Sequence, residues 1–167
     1  MKFFTRKWAE GSCDENDSRM VPACYDEYLL GISNLLPRRV LDFVREVNLH
    51  DGLFQGVVLA PHTSRLAMKI RCGDLHVGYF DVNLEYTKLA LLDRMIQELD
   101  VVVNNAATEI LYDEIDVFQD SVFEHRLLCD PTGELVIRFG SFSFSTSKVS
   151  NRKFTPVRPR FVVTKSE

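Results

Sequence analysis

Alternating apolar and polar residues over 65–86 predict two long strands. The apolar phase of the first strand is formed by Leu66, Met68, Ile70 and Cys72. Gly73 and Asp74 then supply a turn signal, after which the extended pattern resumes. The predicted strands, 65–72 and 75–86, leave no room for a crossover helix, so they must pair as an antiparallel hairpin. One face of this hairpin is expected on a core and the other in water.

Apolar residues at helical spacing predict three helices, over 22–34, 37–48 and 92–106. Pro22 and Pro37 suit the first turns of the first two helices. A short helix is also predicted within residues 2–10, whereas the polar segment 11–20 is predicted to be a loop. The first third of the chain is therefore expected to be a helical hairpin.

Extended patterns predict further strands over 53–60, 109–118, 121–129 and 134–145, with a short last strand at 161–163. Within 134–145 the apolar phase switches at Gly140, which predicts a β-bulge there. Together the elements predict an α+β fold. We expect an antiparallel, mostly meander β-sheet of about five to seven strands, with the N-terminal helices packed on one face.

Charge is divided unevenly along the chain. Residues 148–167 hold six basic residues and one acidic residue, whereas residues 1–147 hold 14 basic and 23 acidic residues, a net charge of −9. This division predicts a single α+β domain over 1–147 and a basic C-terminal segment over 148–167 that docks on it. The alternative is that the segment reaches an acidic partner, RNA or a membrane surface.

The cysteines at positions 13, 24, 72 and 129 form no CxxC or CxxxC pair, so neither a zinc ribbon nor a redox motif is predicted. Free thiols in a reducing cytosol are expected. The first residues lack the apolar core of a signal peptide, and no apolar run is long enough to span a bilayer. We therefore expect a cytoplasmic monomer or homodimer without a membrane partner.

The densest polar cluster lies on two predicted strands and contains Asp113, Glu114, Asp116, Asp120, Glu124 and His125. One interpretation is a solvated sheet face whose carboxylates pair across strands with Arg126 and Arg138. The candidate binding face is then formed by Asp113, Glu114, Asp116, Glu124 and Arg126. The other interpretation is a divalent-metal site with Glu114, Asp116 and His125 as ligands and Glu124 as a base.

No catalytic signature accompanies this cluster, because the sequence contains no GxSxG, HExxH, GxGxxG or GxxxxGK[ST] segment. No cofactor is expected, and an enzyme is the less favoured interpretation. The leading prediction is a non-catalytic protein-binding protein of an immunity or regulatory type, with a protein partner that is preferentially basic. Nucleic acid is not expected as the main partner of an acidic body. The alternative function is a metal-assisted hydrolase or lyase that uses the acidic strand face.

Several short segments resemble a group of small bacterial proteins that have no assigned activity. The matching segments are KFFTRKW, CGDLHVGYFDVNLEY, YDEIDVFQDSVFEHRLL and GELVIRFGSFSF. The resemblance covers most of residues 1–145 and includes no catalytic signature, so it implies no functional residue. By type rather than by motif, the chain is also similar to bacterial immunity proteins that neutralise toxins.

Overall fold

The computed structural model describes residues 1–74, 76, 78–90, 92–103, 108–131, 133–150 and 160–164. Its α-helices are α1 Arg6–Ala9, α2 Glu15–Ile32, α3 Arg38–Glu46 and α4 Leu92–Val103. Its strands are β1 Gly52–Ala60, β2 Arg65–Asp74, β3 Gly78–Thr87, β4 Glu109–Gln119, β5 Val122–Asp130, β6 Gly133–Phe139, β7 Ser141–Val149 and β8 Arg160–Val163.

Two three-stranded meanders make up most of the sheet. Strands β1, β2 and β3 are antiparallel neighbours in chain order, as are β4, β5 and β6, and β1 pairs with β4 to join the meanders. β7 pairs with β3, which gives the strand order β6-β5-β4-β1-β2-β3-β7. β8 adds to β1 as a parallel strand. The predicted α+β class and the antiparallel meander are confirmed.

One hydrophobic core joins both meanders with α3 and α4. The apolar phase predicted for the first hairpin strand is buried, as expected for a sheet with one face on the core. Phe43 of α3 packs edge-on against Phe142 of β7, with ring centroids 5.2 Å apart. Leu99 of α4 is also fully buried. The hairpin pattern therefore identified its core side correctly.

Gly140 is where the structure departs most from the predicted strands. The predicted strand 134–145 is two strands, which pair with β5 and β3, and the predicted β-bulge at Gly140 is wrong. The Gly140 N–H donates to the carbonyls of Thr87 and Lys88, at 3.2 and 3.1 Å. A Cβ at Gly140 would lie 3.1 Å from the Cβ of Lys88, so the close approach favours glycine.

Several predicted boundaries shift. The segment 11–20, predicted as a loop, is helical from Glu15 onward, and Pro22 lies inside α2 instead of in its first turn. A proline removes one backbone hydrogen bond, which the contacts of a long helix can offset. The helix predicted within 2–10 is reduced to α1, where the Thr5 side chain accepts from the Trp8 N–H.

The C-terminal segment contributes a strand to the sheet. The short strand predicted at 161–163 is present as β8, and Phe161 packs against the core beside Val57. The other described residues of the basic segment are 148–150 and 164, and the remainder of 148–167 lies outside the described residues. Within the described part of the chain, no helix is both long enough and apolar enough to cross a membrane.

Candidate functional site

A network of charged side chains covers one face of β4, β5 and β6. We call it the Glu114 network; its members are Glu114, Asp116, Glu124, Arg126 and Arg138. The strand register places Glu114 opposite Arg126, and Glu124 opposite both Asp116 and Arg138. Since directly opposite residues share a face, one row across the strands holds Glu114 and Arg126, and the next row holds Asp116, Glu124 and Arg138.

Glu114 binds the backbone of the N-terminal segment. Its carboxylate accepts hydrogen bonds from the N–H groups of Lys2, Phe3 and Phe4, at 2.8, 2.7 and 2.7 Å. Only 1% of Glu114 is exposed. The segment is held in place by aromatic contacts, including the Phe4 ring stacked on Tyr112 at 5.2 Å. The carboxylate is therefore engaged by the protein itself.

Asp116 joins the N-terminal segment to α2. It contacts the Lys2 Nζ at 2.5 Å, accepts from the Tyr28 hydroxyl, and lies 3.1 Å from the Arg126 Nη2. Burial would raise the pKa of Asp116, but the hydrogen bonds from Lys2 and Tyr28 outweigh it and lower the pKa. The same hydrogen bond to Asp116 raises the pKa of Lys2. Asp116 is therefore held as a carboxylate.

Glu124 completes the network between two guanidinium groups. It pairs with Arg126, and its other oxygen accepts from the Arg138 Nε at 2.6 Å. The expected pairing with Arg126 and Arg138 is thus present. The expected solvation is not, because the N-terminal segment and α2 cover Glu114 and Asp116, and Glu124 is itself buried.

A second polar group lies on the opposite face of β4 and β5, with Tyr86 and His125 buried in the core and Asp113 half-buried. The His125 Nε2 is 3.0 Å from the Asp113 Oδ2, and its Nδ1 is 2.7 Å from the Tyr86 hydroxyl. Since a carboxylate only accepts, the assigned tautomer has Nε2 donating to Asp113 and Nδ1 accepting from Tyr86. We call this chain of three residues the Tyr86–His125–Asp113 relay.

Burial limits what the relay can do chemically. The side chain of His125 has no exposed surface, and Tyr86 is fully buried. Burial, reinforced by the charge of Asp113, raises the pKa of Tyr86 well above its usual range, so its hydroxyl stays protonated. A substrate would have to open the core to reach it. The relay is therefore suited to holding the core together rather than to catalysis.

The proposed metal ligands do not converge. Glu114 and Asp116 lie on the face covered by the N-terminal segment, whereas His125 points into the core towards Tyr86. Among the described residues, no group of three or more acidic, histidine or cysteine side chains is placed to hold a metal ion. The five residues of the candidate binding face are also divided between the two clusters. Asp113 belongs to the relay, and the other four residues belong to the Glu114 network.

An apolar groove between α2 and α3 was not predicted. Its volume is about 300 Å³, and it is lined by Asp26, Leu29, Leu30, Ser33, Leu41, Val44 and Arg45. We call it the α2–α3 groove. Leu30 is 74% exposed, and Leu35, in the turn after α2, is 62% exposed. One feature of the sequence indicates this exposed leucine. Leu30 lies outside the helical stripe of Tyr25, Leu29 and Ile32, which face inward.

Comparison of the chain with protein-family models, with curated proteins and with solved structures finds no match. The geometry of these three regions is accordingly the basis for assigning a function.

Proposed function

We propose that this protein is a non-catalytic protein-binding protein whose partner occupies the α2–α3 groove. The observation that carries the proposal is the exposure of Leu30, which lines the groove together with Leu29, Leu41 and Val44. A single exposed leucine is ordinary in a soluble protein, but a contiguous apolar surface is typical of an interface. An immunity role and a regulatory role both require such a surface.

The shape and charge of the groove favour a particular kind of partner. Two helices that flank an apolar floor form the type of groove that accepts an amphipathic helix. Asp26 and Glu27 are exposed on α2, and the sequence of α2 contains four acidic residues and one basic residue. Arg45 lies on the α3 side. We therefore propose a partner helix with a basic flank facing α2, in agreement with the predicted preference for a basic partner.

The polar clusters support a non-catalytic role. In the Glu114 network, carboxylates and guanidinium groups are engaged with each other and with the N-terminal segment. In the relay, His125 and Tyr86 have no access to solvent. A cavity of about 140 Å³ borders Glu124, Arg126 and Arg138, but these side chains are paired with one another, so none is free to act as a base or nucleophile.

The proposal is tested by comparing the wild-type protein with Leu30→Glu and Val101→Glu as bait in a lysate of the source organism. Val101 is an exposed valine on α4 and is the matched control, because its substitution adds the same charge away from the groove. We expect the wild type and Val101→Glu to retain the same protein and Leu30→Glu to lose it. Circular dichroism should show that all three are folded.

Affinity for the captured protein gives the quantitative form of the test. Removing a buried leucine contact costs about 1.5–3 kcal/mol, which corresponds to roughly 10- to 150-fold weaker binding by calorimetry. A partner with a basic helix should also bind more weakly as salt increases. Equal capture by all three baits, or recovery of nucleic acid or small molecules alone, would contradict the proposal.

A further inference from the structure

We infer that β7 is an interface strand and that its partner is β7 of a second copy of this chain, paired antiparallel about a two-fold axis at Ser145. The inference is independent of the α2–α3 groove. It begins with a difference between the two end strands of the sheet. An unpaired edge strand presents a row of backbone donors and acceptors that can pair with another chain, and proteins normally protect such edges.

The edge of β6 is protected within the chain. Ala90 forms an antiparallel bridge with Arg138, in which the Ala90 N–H donates to the Arg138 carbonyl at 3.0 Å. The Val136 N–H donates to the Glu98 carboxylate of α4 at 3.0 Å. These contacts occupy the side of β6 that faces away from β5. The edge of the sheet formed by β6 is therefore covered.

Among the described residues, nothing gives the edge of β7 comparable protection. In the part of the chain that the structure describes, no strand pairs with β7 on the side away from β3. Its pairing with β3 runs without a bulge from Ser141 to Val149. The strand contains no proline, and its one charged residue is Lys148, near the end. A long, flat edge strand of low charge is the type that pairs with another strand.

The side chains of β7 make it complementary to itself. Pairing over its full length places the two-fold axis at Ser145, the midpoint of Ser141–Val149. Ser143 then lies opposite Ser147 of the second copy, so the exposed serine row continues across the interface with small side chains only. Lys148 lies opposite Phe142 of the second copy, which keeps the two like charges at opposite ends of the interface.

Charged residues of α3 lie beside β7. Arg39 of α3 is exposed and lies over the Phe144 ring at 5.6 Å. Glu46, also exposed, lines a groove beside Lys148 and Val149. Because Phe144 is next to the axis at Ser145, Arg39 of each copy is brought toward both Arg39 and Glu46 of the second copy. A closed two-fold contact of this kind stops at a dimer.

The test uses Ser145, which faces itself across the proposed axis. We expect the wild-type protein to sediment as a dimer at concentrations of 10–200 µM, an order-of-magnitude range for a moderate interface. Ser145→Lys and Ser145→Glu, each alone, should raise the dimer dissociation constant about fivefold, because like charges meet directly. An equimolar mixture of the two variants should restore the dimer, because opposite charges then meet.

The control is Asn83→Lys, which adds a charge to the same face at the position on β3 that pairs with Ser145. It should leave the dimer unchanged, as should Leu30→Glu in the α2–α3 groove. A monomeric wild type would overturn the inference, as would a dimer that both Ser145 variants leave unchanged. A mixture that fails to restore association, although both variants are folded, would overturn the pairing about Ser145. Loss of a captured partner on Ser145→Lys, with a monomeric wild type, would assign the edge to another protein instead.

Discussion

A single carboxylate organises the start of the chain. Glu114 accepts hydrogen bonds from three consecutive backbone N–H groups, of which that of Phe4 is buried and would otherwise lack an acceptor. It also lies 3.5 Å from the Arg126 Nη1. Charge-assisted hydrogen bonds of this kind are stronger than those between neutral groups. The position of the N-terminal segment, and with it the cover over Asp116, therefore depends on the charge of Glu114.

Glu114→Gln should destabilise the protein by about 3 kcal/mol, because it removes one charge from a buried pair while preserving the size of the side chain. Urea denaturation should show a lower midpoint with an unchanged slope. Glu85→Gln is the matched control: Glu85 pairs with Arg65 at 2.8 Å in solvent, and such pairs contribute at most about 1 kcal/mol. Similar losses for the two variants would show that the Glu114 hydrogen bonds carry no special stability.

Burial also separates the four free cysteines into two classes. Cys72 and Cys129 are buried, and burial raises the pKa of each thiol to about 12. Cys24 is exposed and Cys13 is half-buried. A disulfide-exchange reagent at pH 8 should therefore label two thiols in the native protein and four in urea. Rapid labelling of Cys72 or Cys129 in the native protein would show that the core opens there.

The raised thiol pKa values also predict how stability changes at high pH. An unfolded thiol loses its proton near pH 8.5, whereas the buried thiols of Cys72 and Cys129 lose theirs at about pH 12. Between these values the unfolded state binds fewer protons, so the free energy of unfolding falls as pH rises. The contribution is fully present below about pH 8.5. Cys72→Ala and Cys129→Ala should each flatten this decline in urea denaturation.

At the scale of elements, the spacing of apolar residues predicts the structure correctly where that structure depends on residues close together in the sequence. The alternation in β2 predicted its buried face because each residue of a strand simply points opposite to the next. The break between β6 and β7 at Gly140 depends instead on a distant part of the chain. After Gly140 the chain pairs with β3, which lies more than fifty residues earlier in the sequence. A phase switch between Phe139 and Phe142 signals a break in the strand, but it does not identify which strand comes next.

In the candidate site, too, the sequence predicts some features and leaves others to the pairing of distant strands. The acidic residues and their basic partners were identified from composition and spacing, but their faces depend on the register between β4 and β5. That register shifts between Ile110 and Tyr112 and again between Val117 and Gln119, and it places His125 opposite Ile115. Such irregularities are set by pairing and by the turn geometry, which residue spacing alone does not reveal. The separation of His125 from Glu114 therefore could not be predicted from the sequence.

The strand β8 gives an element-scale prediction. It covers β1 at Gly56–Leu59, where β4 no longer pairs, and the Thr164 N–H donates to the Leu59 carbonyl at 2.9 Å. A chain ending at Ser150 should lose about 2 kcal/mol of stability, because Phe161 no longer packs against the core. Amide exchange over Gly56–Leu59 should also become faster. A chain ending at Thr164 is the control, and equal exchange in both chains would show that β8 does not protect β1.

At the scale of the whole molecule, the relay ties the two meanders together through the core. Tyr86 lies on β3 of the first meander, whereas His125 and Asp113 lie on β5 and β4 of the second. The meanders are also joined by β1–β4 pairing at a few residues, by the bridge between Ala90 and Arg138, and by the shared apolar core. A buried polar chain that is fully satisfied favours one relative placement of the two halves, because any other leaves a donor or acceptor unpaired.

A double-mutant cycle tests this coupling. Tyr86→Phe alone should cost about 1–3 kcal/mol, because it leaves the His125 Nδ1 without a donor in the core. In a His125→Phe background the same change should cost less, since no acceptor remains, so the cycle should give a coupling energy of about 1 kcal/mol or more. Tyr86→Phe combined with Glu114→Gln is the control, because Glu114 lies on the other face and shares no partner with Tyr86. The control pair should be additive within about 0.5 kcal/mol. Additivity in both cycles would mean that the relay does not couple the two meanders and merely fits the core that surrounds it.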